Sequence, residues 1–279
     1  MRAISQLLDL HKTWTLITGG AGHVGRASAE TILELGGNVI LADRDITSLN
    51  ELVEHEFNKP FATGRLFILQ VDLADQNQIR HMMDEVSKIT GGILNGLINN
   101  AAFVGTDRLD GWCVPFEEQS ITTFNDCLGV NLSAPFLLSQ QAYELMKNQT
   151  HGPKSIINIS SIHGLVASPF KSAYVAAKHG LVGFTKTVAT EVGENGITAN
   201  AICPGYVDTP LARGQIKSQS ILHGIEEDEV ISKVMLQNAS IKELIDPSEI
   251  ASLALFLSSR SARSITGSAY SIDAGWTAR

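Results

Sequence analysis

The chain has 279 residues, of which 44% are hydrophobic and 18% are charged, and its formal net charge is −8. This length and composition predict a single folded domain with a large core and exclude a disordered chain. The negative charge and the lack of any basic cluster argue against binding to nucleic acid or to an anionic membrane surface. The expected partner is a small molecule.

Cysteine and histidine usage narrows the class of protein further. Cys113, Cys127 and Cys203 are widely spaced and form no CxxC motif, as expected of reduced thiols inside a cell. Polar residues interrupt the N-terminal apolar stretch, so it forms no signal-peptide core, and no apolar run is long enough to span a membrane. The histidines show no metal-ligand spacing such as HExxH. The sequence therefore predicts a cytoplasmic protein without a metal site.

Apolar runs rich in β-branched residues alternate along the chain with stretches of helical period. Strands are predicted at 14–18, 38–42, 65–71, 94–99, 154–160, 197–203 and 269–273. Helices are predicted at 23–36, 46–58, 75–89, about 118–148 and about 171–193, with further helical segments between 209 and 260. Strands that are apolar on both faces and separated by helices are typical of a covered parallel sheet. The pattern predicts a doubly wound, Rossmann-like α/β fold with about seven strands.

The stretch TGGAGHVG, residues 18–25, directly follows the first predicted strand and opens the first helix. Gly20, Gly22 and Gly25 match GxGxxG, in which glycines allow a tight turn, close approach of a pyrophosphate and close helix packing. The N-terminus of the helix offers free N–H groups to an anion. His23 lies inside the loop and does not obstruct it if its side chain points outward. The stretch predicts a dinucleotide-binding site.

Acidic residues at the ends of the next two strands refine the choice of dinucleotide. Asp43 ends the second strand, where a carboxylate accepts hydrogen bonds from ribose hydroxyls and repels a 2′-phosphate, so NAD is favoured over NADP. Arg44 tempers this preference, because its guanidinium is able to stack on adenine or to meet a phosphate. Asp72 follows the third strand and either contacts the adenine edge or caps the next helix.

Ser161, Tyr174 and Lys178 form the candidate chemical group of the second half. Tyr174 and Lys178 are four residues apart on a predicted helix and share a face. A nearby ammonium stabilises a phenolate, which predicts a pKa for Tyr174 below its reference value of about 10 and a role in proton transfer. Tyr143 and Lys147 have the same spacing, but they lack a serine at the end of a preceding strand. We expect Tyr143 at a helix surface or interface.

The chain resembles the short-chain dehydrogenase/reductase family over nearly its whole length, from Lys12 to the final ITGSAYSIDAGW. The matching stretches are the glycine loop, VDLAD, NNAA at 99–102, NLSAPF from Asn131, the set Ser161, Tyr174 and Lys178, and PGYVDTP at 204–210. The resemblance implies an oxidoreductase that interconverts an alcohol and a carbonyl by hydride transfer.

The resemblance also implies roles for particular residues. Tyr174 would act as acid/base, Lys178 would tune it and bind the nicotinamide ribose, and Ser161 would orient the substrate oxygen. Asn131 would hold a water in a proton relay, Asn99 would support the central sheet, and Thr209 would contact the nicotinamide carboxamide. The implied NAD-binding residues are Thr18, Gly19, Gly20, Gly22, His23, Val24, Gly25, Asp43, Arg44, Asp72, Leu73, Asn100, Ala101, Ala102, Tyr174, Lys178, Pro204, Gly205, Val207 and Thr209.

Two residues depart from the pattern of the family's shorter, single-domain branch. That branch usually reads TGxxxGxG, with glycine in place of His23, whereas TGxxGxxG is typical of the longer sugar-nucleotide epimerases and dehydratases. Ala102 replaces the glycine of NNAG. The other motifs and the length favour the shorter branch. A sugar-nucleotide modifying enzyme with recycled NAD and a non-catalytic dinucleotide-binding protein stay open as alternatives.

Two irregular stretches are candidates for a substrate rim, residues 103–119, and a lid, residues 211–246. Their polar residues make a sugar- or polyol-like substrate conceivable, while a hydrophobic ketone, a steroid or an acyl thioester stays open. These residues are Asp107, Arg108, Asp110, Trp112, Glu117, Arg213, Lys217 and His223. Phe103, Trp112 and Phe116 either line a pocket or cap the core. His163 either contacts substrate or is a solvated loop histidine.

The helices near 118–148 and 171–193 resemble the family's tetramer-forming pair, which predicts a homotetramer.

Overall fold

The computed structural model describes residues 8–104 and 113–278. Its frame is a seven-stranded parallel sheet with the strand order β3-β2-β1-β4-β5-β6-β7. The strands are β1 (Trp14–Thr18), β2 (Asn38–Asp43), β3 (Leu66–Gln70), β4 (Gly96–Asn99), β5 (Ser155–Ile159), β6 (Thr198–Pro204) and β7 (Ala269–Ile272). The prediction of a doubly wound, Rossmann-like sheet is confirmed.

Helices connect the strands and cover both faces of the sheet. In the described ranges they are α1 (His23–Glu34), α2 (Ile46–His55), α3 (Asn58–Ala62), α4 (Gln76–Thr90), α5 (Ile121–Leu128), α6 (Ala134–Met146), α7 (Ser172–Val192), α8 (Pro210–Arg213), α9 (Ile216–His223), α10 (Glu227–Val230) and α11 (Pro247–Ser258). Asp45, Asp75 and Asp246 cap α2, α4 and α11 by accepting backbone N–H bonds, which explains where these helices begin.

The sheet separates two hydrophobic cores. Alternate residues of a strand point to opposite faces, so Ile17 of β1 belongs to one core and its neighbour Leu16 to the other. The first core packs α1, α2 and α11 against the sheet, and the second packs α4, α6 and α7. Burial of both faces explains why the inner strands are largely apolar.

The helix predicted at 118–148 is interrupted. A π-helical turn at Gly129–Ser133 separates α5 from α6. Pro135 has no N–H to donate to the carbonyl of Asn131 four residues earlier, as an α-helix requires. The N–H of Ala134 instead bonds the carbonyl of Gly129, five residues back. The backbone stays helical on both sides of the turn, so the predicted helix is present over residues 121–146 and contains one π-helical turn that the apolar period does not indicate.

The predicted lid, residues 211–246, contains α9, α10 and a π-helical turn at Ile231–Met235. Although its sequence is polar, it contributes a small apolar cluster of buried residues against which Tyr206 and Trp276 pack. The cluster consists of Val230, Met235, Leu236 and Ala239. Of the predicted rim, residues 105–112 lie outside the described residues, and with them Asp107, Arg108, Asp110 and Trp112.

Candidate active site

The strand order reverses between β1 and β4, the point at which doubly wound sheets bind ligands beside the carboxyl ends of their strands. Two neighbouring cavities lie there. A large cleft of about 550 Å³ is bordered by the glycine loop and the ends of β2 and β3. A small pocket of about 200 Å³ is bordered by α7 and by the residues that follow β5 and β6. Val24, Asn100, Ala102, Val104 and Thr209 line both cavities.

The glycine loop is shaped as a dinucleotide requires. Gly19 has a φ of +67°, and a Cβ there would lie 2.8 Å from the Cα of Ala101. A Cβ on Gly25 would lie 2.3 Å from the carbonyl oxygen of Gly19. α1 begins at His23, and its N-cap, Gly22, offers no side-chain cap to the first N–H groups. These N–H groups remain available to an anion, so the loop fits a pyrophosphate.

Asp43 lies at the end of β2 and lines the large cleft. One of its carboxylate oxygens accepts from the N–H of Ala21 and the other from the N–H of Asp45, each at 3.1 Å. Each oxygen retains a further acceptor position, which suits ribose hydroxyls. Arg44 and Asp72 line the same cleft. Asp72 accepts from the N–H of Ala74, whereas Asp75 caps α4, so the alternative in which Asp72 caps the helix is wrong.

Most of the residues predicted to bind the cofactor line one of the two cavities. In the large cleft these are Gly19, Gly22, His23, Val24, Asp43, Arg44, Asp72, Leu73, Asn100, Ala101, Ala102 and Thr209. In the small pocket they are Tyr174, Lys178, Pro204, Gly205 and Val207.

Thr18, Gly20 and Gly25 line neither cavity. The hydroxyl of Thr18 accepts from the N–H groups of Asn100 and Ala101, and the N–H of Gly20 donates to the carbonyl of Ala42. These three residues are buried beside the cleft, and their contact with a cofactor stays a prediction.

Ser161, Tyr174 and Lys178 meet in the small pocket. Ser161 follows β5 and shares a hydrogen bond with the phenol of Tyr174 on α7. The ammonium of Lys178 lies 5.6 Å from the centre of the Tyr174 ring and donates to the carbonyl of Ile159 at 2.8 Å. The end of a strand and the first two turns of a helix thus bring the three predicted residues together.

Burial controls the ionisation of this group. It raises the pKa of Tyr174 to about 12, although the hydrogen bond with Ser161 acts in the opposite direction. It lowers the pKa of Lys178 to about 8. The expectation that Lys178 brings the pKa of Tyr174 below its reference value is therefore wrong for the chain as it stands, because desolvation is the largest cause and raises the pKa. The phenol carries its proton at neutral pH and is available as a proton donor.

The second tyrosine–lysine pair has almost the same local geometry in a different place. The ammonium of Lys147 lies 5.7 Å from the centre of the Tyr143 ring. Lys147 forms an ion pair with Glu144 at 2.6 Å, and the phenol of Tyr143 donates to the side chain of Asn195. Neither residue lines the large cleft or the small pocket. Helical spacing alone therefore produces a tyrosine–lysine pair of this geometry. Only the pair of Tyr174 and Lys178 lies beside the small pocket, where it can act on a substrate.

Two predicted asparagines are occupied by contacts within the protein. The buried side chain of Asn131 donates to the carbonyl of Phe103 at 2.8 Å and accepts from the N–H of Phe103 at 2.9 Å. It therefore fixes the segment that follows β4, and its role in a water relay stays a prediction. Asn99 donates to the side chain of Asn158 at 2.8 Å and so links β4 to β5.

Lys171, Tyr206 and Gln215 also line the small pocket, and the sequence analysis missed them. The ammonium of Lys171 lies 3.4 Å from the side-chain oxygen of Gln215 and forms no ion pair with a carboxylate of the described chain. Burial lowers the pKa of Lys171. The position of Lys171 one turn before Tyr174 could have indicated from the sequence that it lies near the pocket. The sequence gives no such indication for Gln215, because only folding brings this residue close to Lys171.

His163 is buried in the turn that follows Ser161 and lines the small pocket. Its backbone N–H donates to the hydroxyl of Ser161, and its ring meets the Tyr174 ring edge-on, with the centres 6.2 Å apart. Its Nδ1 has no hydrogen-bond partner among the described residues. Burial, aided by the charge of Lys171, lowers its pKa to about 4, so the ring is neutral at pH 7. The interpretation of His163 as a solvated loop residue is wrong.

The remaining rim and lid residues contribute little to the two cavities. Phe103 lines the large cleft, whereas Phe116, Glu117, Arg213, Lys217 and His223 line neither cavity. In residues 8–104 and 113–278, no group of three or more His, Cys, Asp or Glu side chains is placed to hold a metal ion. No helix of the same ranges has both the length and the apolar character needed to cross a membrane.

Comparison with known proteins decides the family. A family model described as enoyl-(acyl carrier protein) reductase matches residues 19–277. The chain belongs to the short-chain dehydrogenase/reductase family. Over 268 residues it is 41% identical to D-beta-hydroxybutyrate dehydrogenase of Rhizobium meliloti (strain 1021), covering 95% of this chain and 98% of that relative. The enzyme of the same name from Cupriavidus necator is 34% identical over 267 residues, with coverages of 95% and 97%.

The structure of this chain is similar to a solved structure of levodione reductase. The two sequences are 27% identical, and the structures superpose with a TM-score of 0.82 over 96% of this chain and 99% of levodione reductase. Together with the family match, the relatives make the chain an oxidoreductase that interconverts alcohols and carbonyl compounds. Members of this family use a nicotinamide dinucleotide.

Proposed function

We propose that the chain is an NAD(H)-dependent dehydrogenase of a small 3-hydroxy acid. The large cleft would hold the dinucleotide, and the small pocket would hold the hydroxy acid. One observation carries the proposal: the ammonium of Lys171, which has no carboxylate partner in the described chain, lines the same pocket as the phenol of Tyr174. The two relatives named for D-beta-hydroxybutyrate act on a compound that has a hydroxyl and a carboxylate.

The preference for NAD over NADP rests on the end of β2. Asp43 places a carboxylate in the large cleft, where it would accept hydrogen bonds from ribose hydroxyls and repel a 2′-phosphate. Arg44 lines the cleft beside it, and its planar guanidinium would stack on the adenine. The free N-terminus of α1 would take the pyrophosphate.

The proposed reaction transfers a hydride and a proton. When bound, the nicotinamide ring supplies the hydride to the carbonyl or accepts it from the alcohol. The hydroxyl of Ser161 would hold the substrate oxygen. The phenol of Tyr174 would donate its proton to that oxygen in reduction and recover it in oxidation. Lys178 would stabilise the phenolate and bind the nicotinamide ribose, and Asn131 would belong to the proton relay.

Three further residues would recognise the substrate carboxylate. Lys171 supplies a charge, the side-chain amide of Gln215 supplies N–H donors, and neutral His163 supplies one N–H. Hydrogen bonds to a charged group contribute about 1.5–3 kcal/mol, and a neutral polyol would forgo that contribution. This set therefore favours a hydroxy acid over the sugar or polyol that the sequence suggested. A pocket of about 200 Å³ also argues against a steroid, since drug-sized ligands occupy about 300–1,000 Å³.

The test compares D-3-hydroxybutyrate with butan-2-ol, a neutral alcohol of the same chain length, with NAD as oxidant. We expect Lys171→Met to raise the KM for hydroxybutyrate about tenfold to a hundredfold, because a charge-assisted hydrogen bond is lost. The affinity for NADH should not change. Lys147→Met is the matched control, since that lysine lies outside both cavities.

Equal oxidation of the two alcohols by the wild-type chain, or an unchanged KM in Lys171→Met, would contradict the hydroxy-acid proposal. Accumulation of NADH in step with the product separates the proposal from a sugar-nucleotide enzyme that recycles NAD. NADH binding without any turnover would identify the non-catalytic alternative.

We further propose a homotetramer in the cytoplasm. The three cysteines are free, as expected of a reducing compartment. Helices α6 and α7 carry the aromatic pair Phe136 and Phe184, whose ring centres lie 5.9 Å apart, and Phe136 is exposed on the monomer. This surface is the candidate tetramer contact.

A further inference from the structure

The segment that follows β7 forms a turn against the lid. The carboxylate of Asp273 accepts from the N–H of Gly275 at 3.0 Å and from the N–H of Thr277 at 2.9 Å. The carbonyl of Ala274 accepts from the N–H of Ser240 in the lid at 2.7 Å. Gly275 has a φ of +76°, and a Cβ there would lie 2.8 Å from the hydroxyl oxygen of Ser240. Hydrogen bonds therefore fix the turn, and it fits closely against the lid.

The turn carries Trp276, whose side chain contacts both the lid and the small pocket. The Nε1–H of its indole donates to the carbonyl of Met235 at 3.2 Å, and its ring packs against the apolar cluster of the lid. The same ring meets the imidazole of His163, with the ring centres 6.2 Å apart and the planes at 88°, an edge-to-face contact. Trp276 lines neither cavity, so it acts on a bound substrate through a neighbouring side chain.

The imidazole of His163 lies between two aromatic rings. Tyr174 and Trp276 each meet it edge-on, with the ring centres 6.2 Å away in both cases. The ring is buried, and its Nδ1 has no hydrogen-bond partner in residues 8–104 and 113–278. No hydrogen bond from this nitrogen fixes rotation about the Cβ–Cγ bond, a torsion that has broad minima in histidine. The two aromatic contacts restrict this rotation instead.

We propose that Trp276 is a positioning residue, which holds the imidazole of His163 in the orientation that recognises the substrate carboxylate. The bond to Met235 fixes the indole, and the indole restricts the imidazole. An imidazole that is ordered before the substrate arrives loses less rotational freedom on binding, so the substrate binds more tightly. This inference rests on the proposed function, because it needs a carboxylate in the small pocket.

The test measures the KM for D-3-hydroxybutyrate at saturating NAD. We expect Trp276→Leu to raise this KM about twofold to tenfold, because the imidazole must then be ordered when the substrate binds. The change should fall on KM and not on kcat or on the affinity for NADH, since Trp276 lines neither cavity. Trp276→Phe keeps an aromatic edge beside His163 and should raise the KM less than Trp276→Leu does.

A double-variant cycle shows whether Trp276 acts through His163. His163→Leu removes the imidazole and should itself raise the KM for hydroxybutyrate. Adding Trp276→Leu to His163→Leu should raise the KM no further, because the group that Trp276 positions is gone. An effect of Trp276 on the general packing of the lid would instead give two effects that multiply. If NADH titration shows that Trp276→Leu does not fold, Trp276→Phe takes its place in the cycle.

Trp14→Leu is the matched control. The ring of Trp14 also packs against an aromatic neighbour, Phe67, with the ring centres 5.9 Å apart, but Trp14 lies outside both cavities. Its KM should equal that of the wild-type chain. An unchanged KM in Trp276→Leu, an equal rise in Trp276→Phe, multiplying effects in the double variant, or an equal rise in Trp14→Leu would overturn the positioning role.

Failure of the proposed function gives a different result. If the wild-type chain oxidises butan-2-ol as well as it oxidises D-3-hydroxybutyrate, no carboxylate is recognised, and the proposed function fails together with this inference. If the wild-type chain prefers hydroxybutyrate and the Trp276 variants keep its KM, the proposed function stands and only the positioning role fails.

Discussion

The ionisation of Tyr174 shows how strongly burial governs a single residue. Its pKa of about 12 means that the phenol is protonated at neutral pH, so it is ready to donate a proton to a carbonyl. Tyr143 has the same spacing to a lysine and nearly the same ring-to-ammonium distance, yet its hydroxyl donates to the half-buried side chain of Asn195, outside both cavities. Tyr143 therefore serves as a control for the role of the Tyr174 hydroxyl in proton transfer.

Replacing the phenol tests the chemical role of Tyr174. We expect Tyr174→Phe to lower kcat by about 10²–10⁴, the usual contribution of a positioned acid or base, while the ring and the cavities are preserved. NADH affinity, measured by fluorescence titration, should be retained. Tyr143→Phe should leave both quantities unchanged. Substantial turnover in Tyr174→Phe would remove the basis of the proposed chemistry.

At the scale of elements, local patterns predict the frame of this protein well. Each strand is a short, largely apolar run, and the five inner strands are buried on both faces, so the runs locate β1 to β7 within one or two residues. The glycine loop and the spacing of Tyr174 and Lys178 are local signals too. These features depend on neighbours in the chain and need no knowledge of the whole fold.

Two features of the structure could not be predicted from local sequence patterns. The π-helical turn at Gly129–Ser133 accommodates Pro135, and the apolar period does not reveal it. His163 and Lys171 lie close to Ser161 and Tyr174 in the chain, but only folding brings Gln215 to the same pocket. The position of Gln215 is set by tertiary packing, and this residue belongs to no motif of its own.

The glycine loop offers a test of close packing within one element. Gly25→Ala should destabilise the chain by about 1–3 kcal/mol, because the new Cβ would lie 2.3 Å from the carbonyl oxygen of Gly19 and force the backbone to shift. Gly22→Ala is the milder comparison, since the nearest atom to its Cβ would be 3.3 Å away. Thermal or urea unfolding without cofactor measures both. Equal stabilities would show that the loop tolerates the contact.

For the whole molecule, one exposed apolar surface is the one proposed for assembly. Phe136 of α6 is 51% exposed and packs against Phe184 of α7. Phe136→Asp would place a charge in a contact between copies, so we expect light scattering to report a smaller assembly than for the wild-type chain. Phe61→Asp is the control, because Phe61 on α3 is 44% exposed but lies outside the proposed contact. An unchanged mass for Phe136→Asp would exclude this face from the interface, and a wild-type monomer would refute the tetramer.

The common wall between the large cleft and the small pocket has a kinetic consequence. Because Val24, Asn100, Ala102, Val104 and Thr209 border both cavities, a molecule seated in the first becomes part of the surface that the second molecule meets. In the proposed function, the bound coenzyme would then supply part of the pocket that the hydroxy acid enters, so the KM of the acid should depend on the coenzyme concentration.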